Sequence, residues 1–109
     1  MNKYRDKSDF EINKAVAVAL GKVIGIRPDS NIIYLIGGDE LIEFSPCNNP
    51  ADAMPIIIEN GISIMANWGR DGEWAATYRI SIYAENNENP LRAAMEIFLM
   101  MKDAENEKV

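Results

Sequence analysis

Hydrophobic and polar residues along the chain switch between two periodicities. Ser8 followed three residues later by Glu11 is a capping box, after which Ile12, Ala15, Val16, Ala19 and Leu20 recur at helical spacing. A first helix is therefore expected to start near Asp9 and to stop at Gly21, in the left-handed cap position. Val23, Ile24 and Ile26 form a brief apolar stretch, read as a short edge strand, before the turn cluster Arg27-Pro28-Asp29-Ser30. Two β-rich runs, 31–36 and 41–44, flank Gly37-Gly38-Asp39-Glu40 and predict a hairpin. Asn49-Pro50 pairs an N-cap with the residue best tolerated at the first helical position, and Asp52 complements the helix dipole. A second helix should thus run to Asn60 and end at Gly61. Pro55 lies inside it and predicts a distorted first turn or a later start.

Ile62, Ile64, Ala66 and Trp68 alternate as in a half-buried strand, and residues 69–73 make a turn. The strand is expected to return between Trp74 and Ala84, with Tyr78, Ile80 and Ile82 on one face. Asn89-Pro90 repeats the cap logic and opens a third helix, whose buried stripe should be Leu91, Ala94, Met95, Phe98 and Met101, widened by Leu99. The polar tail from Asp103 to Val109 should fray. The order helix, strands, helix, strands, helix predicts a single α+β domain over residues 1–109. Its antiparallel sheet is built from hairpins, with three amphipathic helices packed on it.

The chain has 109 residues, 48% of them hydrophobic. Area scaling gives roughly 6,000 Å² folded, so about two-thirds of the unfolded surface can be buried and a core forms without staples. Cys47 stands alone, which excludes an intrachain disulfide and a Cys-cluster zinc site. There is no His, so the usual general base and metal ligand are missing. No segment reads as a leader or a membrane span, and a cytoplasmic location is expected.

Charge changes the picture more through its placement than through its sum of −6. Residues 1–27 carry six basic and three acidic side chains, and residues 70–109 five basic and eight acidic. The 42 residues between them hold Asp29, Asp39, Glu40, Glu43, Asp52 and Glu59 and not one Lys or Arg. The balance argues against a nucleic-acid backbone as direct partner. The acidic stretch is either a solvated face or a surface shaped for a basic partner.

Catalytic chemistry is thin. Gly37-Gly38 lacks the lysine and helix start of a phosphate loop, and Cys47 has no His to activate it. Asp39, Glu40 and Glu43 offer oxygen ligands without calcium-loop spacing. No enzyme activity, cofactor or metal is expected. Binding features are better developed. Trp68 and Trp74 bracket a turn holding Arg70, Asp71 and Glu73, residue types found at contact hot spots, although both indoles can equally pack on the sheet. Met95, Met100 and Met101 suit either a partner-binding face or core. Asn48, Asn49 and Asp52 either cap the second helix or present its amides to an anion or a partner's carboxylate.

The run Cys47-Asn48-Asn49-Pro50-Ala51-Asp52-Ala53-Met54-Pro55-Ile56-Ile57-Ile58-Glu59-Asn60, followed by Ile62-Ser63-Ile64, resembles the signature of the NinX-like proteins. These are small proteins of tailed phages and of prophages in enteric bacteria. Asn89-Pro90-Leu91-Arg92-Ala93-Ala94-Met95 with Phe98-Leu99-Met100-Met101 looks like that family's C-terminal helix, and Ser8-Asp9-Phe10-Glu11-Ile12-Asn13 fits its opening. The resemblance implies a domain related to the phage α/β/α sandwiches and a setting inside an infected or lysogenic bacterium. It brings no catalytic or ligand-binding residues. Family members often carry Trp at the position of Met54, so an aromatic contact there would be missing.

The leading expectation is a non-enzymatic accessory protein that binds a host or phage protein through its acidic face, one form of which is mimicry of a nucleic acid. A small-molecule binder or carboxylate enzyme is the alternative, favoured by a concave pocket joining two of Asp39, Glu43, Asp52 and Glu59 with raised carboxylate pKa values. A self-associating assembly component is the third.

Overall fold

A computed structural model describes residues 3–27, 29–66, 73–79 and 83–107, the last residue and 83–86 by backbone only. Helix α1 spans Asp9–Ala19 and starts as expected, with the Ser8 hydroxyl accepting the Glu11 amide at 3.1 Å. It ends in a complete Schellman motif: Gly21 (φ 74°) donates to Val18 and Lys22 to Ala17. Strands β1 (Ile24–Arg27), β2 (Ile32–Gly37) and β3 (Glu40–Phe44) follow. The β2–β3 loop is two residues, tighter than the four expected. Gly38 sits at its first central position with φ 62°, a left-handed conformation that glycine adopts without strain.

Helix α2 (Pro50–Asn60) has the predicted bounds. The Asn49 side chain accepts the Ala51 amide at 3.0 Å, and Gly61 (φ 65°) closes the helix. Pro55 does not delay the start. The helix begins at Pro50 and carries Pro55 on an exposed position within it. Gly61 alone joins α2 to β4 (Ile62–Met65), which pairs with β5 (Trp74–Tyr78), and β5 with β6 (Tyr83–Asn87). Here the single return strand expected between Trp74 and Ala84 is corrected to two. Arg79 takes φ 50°, which breaks the extended chain and turns it back so that Tyr83 pairs with Tyr78. Ile80 and Ile82 lie outside the described residues. Helix α3 runs Pro90–Glu107, well into the stretch expected to fray.

The α+β class and the hairpin-built antiparallel pairing are as the sequence implies. The strands form two three-stranded sheets, however, ordered β1-β2-β3 and β4-β5-β6, because α2 carries the chain out of the first before the second begins. Helix α3 packs against all of the second sheet and against α1 and α2. It is consequently buried on more than one stripe: Ala93, Ala94, Met95, Ile97, Phe98, Leu99 and Met101 are all core. Met95 and Met101 therefore take the core reading. The buried face of α1 is Ile12, Asn13, Val16 and Ala17, and Ala19 of the predicted stripe is exposed.

Candidate functional site

Two regions carry the molecule's polar chemistry, and the first is a clamp. Arg92, near the start of α3, is only 7% exposed, and Glu96 one turn later is 1% exposed. The Arg92 Nε donates to Glu96 at 2.9 Å, Nη1 to Asp9 at 2.7 Å, and Nη2 to the carbonyls of Tyr4 (3.0 Å) and Lys7 (2.7 Å). One guanidinium thus ties the segment before α1 to the central helix. Burial works against its charge, but the bonds to Asp9 and Glu96 outweigh that and hold its pKa above the ordinary value. Beside it, the Cys47 amide donates to the buried Asn13 side chain at 3.0 Å. Asn89 accepts the Leu91 and Arg92 amides and donates to the Cys47 carbonyl at 2.7 Å. Burial, and then Asp9 and Glu96 against the opposing Arg92, push the Cys47 thiol up to about 12. Such a thiol is inert at neutral pH. Tyr4 donates to Asp103, and its phenol is raised by burial first and by that bond second. Among the described residues no buried side-chain polar atom lacks a partner. The clamp is closed on itself.

The first sheet is the opposite case. Residues directly opposite share a face, and alternate residues along a strand share a face. The register Gly25↔Tyr34↔Glu43 and Ile36↔Leu41 therefore puts Arg27, Ile32, Tyr34, Ile36, Leu41 and Glu43 on one side. Val23, whose carbonyl accepts the Ile36 amide at 2.9 Å, joins them. The other side presents Ile33 and Phe44, both buried, with Ile24 and Leu35 packed on the core. On the outer side Val23 is 67% exposed, Leu41 64% and Ile36 44%. The Arg27 guanidinium stands 5.9 Å from the Tyr34 ring centre. Asp39 and Glu40 sit at the hairpin tip and Glu43 beside Leu41, all exposed and none in an ion pair among the described residues.

The apolar outer face was missed as a candidate, though a signal for it exists. Ile32-Ile33-Tyr34-Leu35-Ile36 is apolar at consecutive positions, the pattern of a strand covered on both faces. The chain covers one of the two, and that one incompletely, since Ile26 and Ile42 on it are 40% and 53% exposed.

The other sequence candidates fall as follows. Trp68, Arg70 and Asp71 lie outside the described residues, and Trp74 is half-buried at the start of β5. Asn48 donates to Asp9 at 3.3 Å, Asn49 caps α2, and Asp52 accepts the Ser45 amide at 2.9 Å, so all three hold the 45–49 loop in place. Asp52 and Glu59 line one pocket of ≈ 240 Å³ together with Lys22, between α2 and the first sheet. That is below the roughly 300 Å³ of the smaller ligand sites. A wider groove of ≈ 390 Å³ runs between α1 and α3, lined by Tyr4, Lys14, Val18 and Lys102 among others. Among the described residues no group of three or more potential metal ligands is assembled, and no helix is long and apolar enough to cross a membrane.

No curated protein and no solved structure matches the chain. The model of the family described as Bacteriophage P22, NinX matches residues 3–102. That match takes in the clamped N-terminal segment, both sheets and most of α3, and the chain therefore belongs to this phage family.

Proposed function

We propose that this phage accessory protein is a non-enzymatic binding module, acting in the bacterial cytoplasm on a basic host or phage protein through the outer face of its first sheet. One observation carries the reading: Val23, Ile36 and Leu41 stand exposed side by side on a face that also carries Glu43, with Asp39 and Glu40 at the adjoining hairpin tip, and none of these carboxylates has an ion-pair partner among the described residues. Exposed aliphatics grouped in this way mark interaction surfaces rather than ordinary surface scatter. The acids supply what aliphatics cannot, long-range attraction for a basic partner and discrimination against acidic ones.

Magnitudes show that the apolar group is not sufficient by itself. Fully burying an aliphatic side chain yields about 1.5–3 kcal/mol, and these three are already about half covered, so hiding them yields on the order of 3–4 kcal/mol. Association costs at least about 4 kcal/mol in lost freedom. Charge attraction and backbone or side-chain hydrogen bonds must supply the rest.

The test is affinity capture from bacterial lysate at low and high salt, with the wild-type chain and a Glu40→Lys/Glu43→Lys variant. One near-stoichiometric basic protein, lost at high salt and lost with the variant, is the expected result. Capture that ignores both salt and charge reversal would contradict the reading. A second reading, small-molecule binding in the Asp52–Glu59 pocket beside Lys22, predicts a thermal shift with a small ligand that Glu59→Gln abolishes.

A further inference from the structure

The shortfall left by the apolar group directs attention to polar groups beside it, and the nearest unsatisfied ones are backbone groups. Strand β3 lies at one side of the first sheet, with β2 on one flank and, among the described residues, no strand on the other. Ile36 donates its amide to Val23, so its backbone groups point toward β1. By alternation those of Ile33, Leu35 and Gly37 point the other way and pair with Phe44, Ile42 and Glu40. The amides and carbonyls of Leu41 and Glu43 consequently point away from β2, along an open edge. Such an edge is a template for another strand.

We infer that an extended segment of the partner, in which Lys or Arg alternates with aliphatic residues, adds to β3 as a fourth strand of the first sheet. The inference rests on that sheet being the docking surface and names how it is used. An added strand takes up the free backbone groups of Leu41 and Glu43; with its aliphatic residues extending the apolar face over Leu41, alternation puts its Lys or Arg on the opposite side, where Glu40 lies. Its charge follows from the flanks. Asp39, Glu40 and Glu43 line this edge, whereas the opposite edge, β1, lies between Lys22 and Arg27. A second copy of the chain is the poorer occupant, because pairing β3 with itself would align these carboxylates from both copies along one short ladder.

The experiment uses the full isotope-labelled chain and an eight-residue acetylated, amidated peptide of alternating Lys and Val, with a Glu–Val peptide as control. Binding is followed by NMR, and amide hydrogen exchange is read residue by residue. The Lys–Val peptide is expected to bind saturably, about tenfold more weakly when salt is raised from about 50 to about 500 mM. Exchange at Leu41 and Glu43 should slow at least about tenfold, while Glu40 and Ile42, already paired to β2, stay unchanged. The Glu–Val peptide should not bind. Binding that leaves Leu41 and Glu43 unslowed overturns strand addition but not docking on the sheet's face. Concentration-dependent slowing at both amides without peptide overturns it in favour of self-pairing. Failure of the Lys–Val peptide to bind overturns it as well, with the docking surface still judged by its own lysate capture.

Discussion

Helix α3 and the first sheet come from one chain of 109 residues, yet they resolve their polar and apolar groups in opposite ways. Around α3 every charge that enters the interior meets its counterpart: Arg92 meets Glu96 and Asp9, and the helix start meets Asn89. On the outer face of the first sheet, aliphatic side chains face solvent and the carboxylates beside them meet no cation among the described residues. The contrast separates residues that secure the fold from residues that the proposed docking would use. A buried ion pair is costly to break, because removing one member strands the other's charge. An exposed aliphatic contributes little to folding and can be changed without unfolding the chain.

That contrast is open to direct attack. The largest effect is expected from Arg92→Met, which strands Glu96 and releases the carbonyls of Tyr4 and Lys7. Urea unfolding should show a loss of about 3–5 kcal/mol, and Arg92→Met/Glu96→Met should recover much of it. Asn89→Ala removes the α3 cap and the bond to the Cys47 carbonyl, for an expected loss of about 1–2 kcal/mol in the same assay. A further effect is expected with pH. The folded pKa of Cys47 lies above its ordinary value of 9.0, at about 12, so the neutral thiol is favoured in the folded state. Its contribution is therefore complete below pH 9 and is lost as pH rises toward 12. Thermal unfolding of wild type should weaken across that window, and Cys47→Ala should remove the part of the decline that begins near pH 9. The smallest change in stability is expected at Leu41→Ser, within about 0.5 kcal/mol of wild type. Its effect on partner binding, by contrast, should be about tenfold or more. If Leu41→Ser unfolds the chain, the two regions are not separate in the way described.

Much of the clamp's frame was legible in the sequence because local chemistry dictates it. Ser8, Asn49, Gly21 and Gly61 act within a few residues of themselves, so a cap or stop reads from spacing alone. The role of Arg92 was not legible: its partners lie 83 or more residues away in the chain, save for Glu96, and nothing local marks a central helix. The width of α3's buried surface was underestimated for the same reason, since Ile97 and Ala93 are core only because the second sheet and α1 lie on different sides. The split into two sheets and the turn at Arg79 depend on tertiary pairing that periodicity does not encode. For the candidate site, the cation-free stretch contains the hairpin proposed as the docking surface. The continuous apolar run at 32–36 held the remaining clue, that one strand had been given two faces to cover.

The most direct measurement is hydrogen-exchange mass spectrometry on the chain alone and bound to the protein it captures from lysate. The account predicts slowed exchange concentrated in residues 23–44, with α3 unchanged because its core is already closed. Slowed exchange confined to the α1–α3 groove, with residues 23–44 unaffected, would contradict it.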